Sequence, residues 1–254
     1  MTVLPDERVA VLDTGNGRIE LFRPTDAGLE HDQVITLDSL SPYSENHRNL
    51  CGLLEVGWYL RQRDGDEVIR RYDPQGRKLD VFEEAPPLPP GDWGWTAQLI
   101  EASGSDGMLT CLPDRAQIVS AGRRTDLVRL FESNGSLVWS RAVSGIVPEG
   151  YQLGISDAIA FGYQQESDGS HLGMATARWS EDAILVQYRY WRGERREPDV
   201  TRIESLLLSL EDGEELGRSH TLPQILDLRD GLAYTAESTP FPRVVVMERA
   251  SGRP

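Results

Sequence analysis

The chain has 254 residues and carries 26 basic against 41 acidic side chains, a formal net charge of −15. That balance excludes a protein built to coat nucleic acid or anionic lipid. Two cysteines exclude a disulfide-rich scaffold, and no apolar run approaches the ~18 residues of a membrane-spanning helix. With 39% hydrophobic and 26% charged residues, the composition suits a folded, water-soluble domain rather than a disordered chain.

Turn chemistry organises the chain. Asn-Gly stands at 16–17 and 134–135, and Asp-Gly at 64–65, 106–107, 168–169, 212–213 and 230–231. Such pairs favour the positive φ that tight hairpins need. Between them lie short runs rich in β-branched and aromatic residues. In chain order these are Val9–Leu12, Arg18–Phe22, Glu67–Tyr72, Asp126–Phe131, Arg202–Leu208 and Arg243–Met247. They are too short for ordinary helices, so strands are expected. Only 204–215 offers a helical alternative, and it continues a strand-like run into Glu-Asp-Gly.

The strands recur in an order: an apolar strand, a turn, a strand ending in an aromatic residue or Leu, then a polar turn. Copies begin at Arg8, Gly57, Gln117 and Gly231; the second ends in Tyr72-Asp-Pro-Gln-Gly and the third in Phe131-Glu-Ser-Asn-Gly. A supersecondary unit of roughly 40–45 residues that recurs in this way is the signature of a β-propeller blade. An all-β fold is therefore expected, with six antiparallel blades at 3–37, 50–83, 108–143, 150–178, 182–220 and 224–250. A five-bladed, incomplete or unusually closed ring is the alternative.

The copy Val11-Leu-Asp-Thr-Gly-Asn-Gly-Arg-Ile-Glu-Leu-Phe22 resembles the blade motif of bacterial six-bladed propellers related to NHL repeats. Leu206–Ser219 and Pro240–Met247 look like closing blades of the same group. The resemblance implies a toroid of four-stranded blades and no single activity, since such propellers include hydrolases, lactonases, lyases and pure binding modules. Members usually begin with an export or lipoprotein signal. Here Met1–Arg8 has no basic n-region or apolar h-region. The expected compartment is the cytoplasm or the periphery of a membrane complex, with the periplasm as the family's alternative.

Catalytic spacing is absent. There is no Gly-x-Ser-x-Gly elbow, Lys78 is the single lysine, and the four histidines are not paired at metal-ligating intervals. Asp13, Asp64, Asp66 and Asp126 sit near turns, where Asp commonly bonds its own backbone; a calcium-dependent lactonase would need such residues to converge. Cys51 and Cys111 have apolar neighbours and read as buried, reduced thiols. No cofactor is expected.

Two segments depart from the repeat. Residues 83–95 are Pro-rich and end in Trp93 and Trp95. Residues 187–199 carry Tyr188, Tyr190, Trp191, Arg192, Arg195 and Arg196, and from Arg189 to Arg202 five arginines face three acids. Tyr, Trp and Arg dominate protein–protein hot spots. Either these side chains form an interface on an extended hairpin, or Tyr188 and Tyr190 face the core with the arginines solvated at the tip. The reading is a non-enzymatic propeller scaffold that binds other proteins, as an extrinsic subunit of a larger assembly, and binds no nucleic acid. The alternative is a metal-dependent small-molecule hydrolase or lactonase using the propeller channel.

Overall fold

The computed structural model describes residues 1–38, 40, 49–64, 66–85, 107–122, 127–143, 171–192, 199–229, 232–237 and 243–248. Among them there is no helix. The strands form five antiparallel sheets, each ordered as in the chain. The first holds β1 (Thr2–Val3), β2 (Val9–Asp13), β3 (Arg18–Thr25) and β4 (Gly28–Thr36). The second holds β5 (Asn49–Leu53), β6 (Gly57–Asp64), β7 (Glu67–Tyr72) and β8 (Lys78–Glu84). The third holds β9 (Gly107–Leu112), β10 (Gln117–Gly122), β11 (Leu127–Glu132) and β12 (Leu137–Ala142). The fourth holds β13 (His171–Ser180), β14 (Ala183–Arg192), β15 (Asp199–Ser209) and β16 (Glu215–Ser219). The fifth holds β17 (Ile225–Arg229), β18 (Leu232–Glu237) and β19 (Arg243–Glu248).

The all-β expectation holds, and each run read as a strand lies in one, except that Asp126 at the start of the fourth run lies outside the described residues. Residues 204–215 form the end of β15 and a turn, because Leu206, Leu207 and Leu208 are buried on both faces of the sheet. One boundary is corrected. Residues 150–170 lie outside the described residues, while 171–178 belong to β13, which pairs with β14 from His171↔Trp191 to Ser180↔Ala183. The division expected between 178 and 182 is a two-residue hairpin turn inside one sheet.

The chain divides into two compact units. One comprises Met1–Ser120 and Phe131–Val138, the other Ala121–Leu130 and Trp139–Pro254, so the third sheet contributes strands to both. In the first unit, alternate side chains of β6 enter different cores. Trp58 and Leu60 pack with Leu4 of the β1–β2 connection and with Ala10, Leu21 and Ile35 of the first sheet. Tyr59 packs with Phe82, Leu109, Ile118 and Phe131, and its hydroxyl donates to the Ser133 carbonyl at 2.8 Å. A strand covered on both faces loses the apolar–polar alternation of a half-exposed one, and β6 and β7 are buried along most of their length. In the second unit a smaller core gathers Leu185, Ile225 and Ala233.

The turns repeat with the sheets. Between β7 and β8, Gly76 N–H donates to Asp73 O; between β11 and β12, Gly135 N–H donates to Glu132 O. The two glycines have φ of 87° and 89°, in the left-handed region that side-chain-bearing residues avoid. In the second unit the turn after β15 meets β12: Trp139 Nε1 donates to Leu210 O at 3.2 Å and Arg141 Nε to Asp212 O at 2.9 Å. Sheet four therefore packs directly on strand β12.

The thiol expectation is overturned. Cys51 and Cys111 form a disulfide with their Cα atoms 5.6 Å apart. Their apolar neighbours bring both into one core, and β5 lies beside β9, which places the two Cα atoms within bridging range.

Candidate interaction site

β13, β14 and β15 are the long strands of the fourth sheet, at 10, 10 and 11 residues. β16 pairs only with Ser205–Leu208, whereas β14 pairs with β15 from Ala183↔Ser209 to Arg192↔Asp199. β13 runs beside β14 as far as His171↔Trp191. Three strands thus continue past the end of the fourth as a ribbon. Branched and aromatic residues in β14 favour this extension, since each finds a cross-strand neighbour. The ladder slips once, where Tyr190 pairs with Arg202 but Trp191 pairs with Val200, leaving Thr201 as a bulge. Bulges twist a ribbon and re-aim the residues beyond them.

The expected interface residues separate along this ribbon. Tyr188 is fully buried, pairs with Met174 and Glu204, and lies 3.4 Å from the Gly122 carbonyl, to which its hydroxyl donates. It is a core residue, which corrects its assignment to a binding surface. The cause is position: Tyr188 stands where the ribbon is still covered by the rest of its unit. Tyr190, Trp191 and Arg192 occupy the far end of β14. Arg195, Arg196, Trp93 and Trp95 lie outside the described residues.

Among the described residues no group of three or more His, Cys, Asp or Glu side chains is placed to hold a metal ion. Asp13 accepts from Asn16 Nδ2 at 2.7 Å and from Arg18 Nε at 3.0 Å, and these bonds, the Asn16 amide first, hold its carboxyl below the usual Asp value. It serves its own turn, as does Asp73, which accepts from the backbone N–H groups of Gln75 and Arg77 and from the Arg77 guanidinium. Asp66 is exposed, and Asp126 lies outside the described residues. Among the described residues no helix is long and apolar enough to cross a membrane.

Among the described residues of the first unit, a deeply buried charge is Arg61 of β6. It pairs with Glu83 of β8 at 2.9 Å, both side chains at most 4% exposed, and also bonds the Ser120 hydroxyl of β10. Composition gave no sign of it. The only hint was the pair of charges Arg61 and Arg70 inside runs otherwise read as apolar strands.

No protein-family model matches the sequence, and no curated protein is significantly similar to it. Among solved structures, the chain is similar to a member of the DUF4221 family from Bacteroides vulgatus, with 8% identity and a TM-score of 0.58 over 96% of this chain and 76% of that one. It also matches streptogramin B lyase, with 10% identity and a TM-score of 0.40 over 92% and 74% of the two chains. A third match is the β-propeller domain of Cps50 (Swd1) from Myceliophteria thermophila, with 6% identity and a TM-score of 0.38 over 91% and 77%. The last two superpose too loosely to argue from. Sequential four-stranded antiparallel sheets together with the first match support a β-propeller fold, without assigning the chain to the NHL-related family.

Proposed function

We propose that the protein is a non-enzymatic propeller-type interaction module that docks partner proteins through the β14–β15 ribbon, as an extrinsic subunit of a larger assembly. The observation that carries this reading is the run of β13, β14 and β15 past β16, which presents a segment where five arginines face three acids in a chain of net charge −15. Tyr190, Trp191, Arg192, Arg195 and Arg196 are its contact residues, with Trp93 and Trp95 as a second contact segment. Acidic partner patches are the natural complement, since arginine binds carboxylates in bidentate fashion. The Cys51–Cys111 bridge favours an oxidising compartment, where disulfides persist, over the cytoplasm.

The test pairs affinity with stability. A partner captured from the native host, membrane fraction included, is titrated against Trp191→Ala and Arg195→Ala. Each change weakens binding by ~2 kcal/mol or more, roughly thirtyfold, as hot-spot truncations do. Melting temperatures stay within the range of surface substitutions, about 0.5 kcal/mol. Unchanged affinity with a lowered melting temperature makes these residues structural and overturns the reading.

A further inference from the structure

Among the described residues, the fifth sheet is one strand short. The other sheets each hold four strands, whereas this one ends at its third, β19. β19 pairs with β18 along its whole length, from Leu232↔Glu248 to Glu237↔Arg243, with no slip in register. Among the described residues nothing pairs with its other edge. An open edge offers a row of backbone N–H and C=O groups to any strand that can meet them.

The other outermost strands are blunted. β4, β8 and β16 carry bulges at Asp32, Leu79 and Leu216, together with charged residues, and β12 is met by the turn after β15. Bulges and charges keep a free edge from pairing. β19 has no bulge, and Val244, Val245, Val246 and Met247 run without a charge between Arg243 and Glu248. Its two faces differ. Ala233, opposite Met247, packs with Leu185 and Ile225. Val244 and Val246 alternate onto the other face and are 64% and 52% exposed.

This strand is matched to a second copy of itself. Opposed residues of an antiparallel pair lie on one face, and two copies of the same edge turn the same face to the same side. Only residues of equal parity can therefore be opposed, so the two-fold axis passes through a residue. An axis at Val245 sets Val244 of each copy against Val246 of the other and Arg243 against Met247. An axis at Val246 would set Val244 against Glu248, an apolar residue against a charged one. An axis at Val244 would pair only 243–245. The Val245 register alone joins the four exposed valines, and β-branched cross-strand pairs are favourable. No like charges stand opposed in it. The net charge of −15 acts on the pair only from farther off, and is screened beyond about 8 Å at physiological salt.

We propose that two copies of the chain join at this edge, β19 against β19, antiparallel about a two-fold axis at Val245, so that the two fifth sheets become one continuous sheet. The proposal goes beyond the ribbon interface and does not depend on it.

Sedimentation velocity on the full chain, from about 1 to 200 μM in ~150 mM salt, reads the association. The chain runs as a monomer at the low end and as a dimer at the high end. Val244→Lys combined with Val246→Lys places four lysines around the axis and raises the dissociation constant at least about tenfold, as opposed like charges do. Leu29→Lys, the same change at an exposed position of β4, leaves it unaltered, as does Trp191→Ala. Val245→Cys tests the register. Opposed Cα atoms lie about 4.5–5.5 Å apart, within bridging range, and both native cysteines are already bridged. Mild oxidation therefore links Val245→Cys into a covalent dimer in preference to Val246→Cys. Far-UV circular dichroism confirms that each variant is folded. A monomer at every concentration, growth beyond the dimer, a dimer that survives the paired lysines, equal weakening by Leu29→Lys, loss in Trp191→Ala, or linkage through Val246→Cys in preference to Val245→Cys each overturn the proposal.

Discussion

Arg61 and Glu83 set the terms for charge inside this protein. Each is almost wholly removed from water, so either one alone would be a buried, uncompensated ion. Glu83→Ala should therefore cost about 3–5 kcal/mol in urea unfolding, whereas replacing both residues by methionine should cost less than the single change. Carboxylates at the turns act differently. Partial desolvation works to raise the Asp73 carboxyl, but the Arg77 backbone N–H, the Arg77 guanidinium and the Gln75 N–H outweigh it and hold the group below its usual value. The Glu214 backbone N–H, with the Ser209 hydroxyl next, lowers Asp212 in the same direction. A carboxyl held low in the folded state contributes stability that is fully present above the unfolded-state value and is lost as pH falls through the folded-state one. Stability measured from pH 7 downward should stay level to about pH 4 and then fall, with a smaller fall in Asp73→Asn. Neither the ion pair nor the depressed carboxyls could be singled out among 41 acidic residues, because each depends on which strands are neighbours.

At the scale of elements, the turns were the most legible part of the sequence. Among the described residues the pairs at 16–17, 134–135 and 212–213 fall at hairpin connections, each with its glycine at positive φ. Their signal is local: the residue must accept positive φ whatever surrounds it. Tertiary contact adds a second constraint. A Cβ on Gly76 would stand 2.1 Å from the Thr36 carbonyl oxygen of β4. Gly76→Ala should destabilise by at least ~2 kcal/mol, from backbone strain and overlap together. Gly15→Ala meets nothing closer than Asp13 Oδ1 at 3.7 Å, and as a surface change should stay within about 0.5 kcal/mol. Differential scanning calorimetry on both variants checks the contrast. Strand ends were less legible than turns. The sequence placed Tyr188 and Trp191 on one hairpin, but the point where the ribbon leaves its cover is set by the length of β16.

For the whole molecule, the disulfide decides more than its size suggests. Cys51 and Cys111 each stand six residues before the next strand of their repeat, which begins at Gly57 and at Gln117. Their separation of 60 residues equals the spacing of those two copies. Equivalent positions on adjacent first strands therefore face one another. That signal lies in the repeat spacing, and the immediate neighbours of each cysteine do not carry it. Thiol titration of the denatured, unreduced protein should find no free cysteine. Closing a loop of this length stabilises by up to about 4 kcal/mol in the chain-entropy account, so dithiothreitol or Cys51→Ala with Cys111→Ala should lower the melting temperature clearly.

By itself the sequence determined the all-β class, the hairpin positions and a recurring four-strand unit. These rest on interactions within a few residues: turn φ, β-branched runs and apolar spacing. Only the tertiary structure decided that 171–178 opens the fourth sheet, that Tyr188 is core and that the thiols are bridged. Each of these depends on which distant strands meet. A degenerate repeat announces that sheets will stack, but the side chains that touch across the stack are chosen by packing over tens of residues, for which local pattern carries no record.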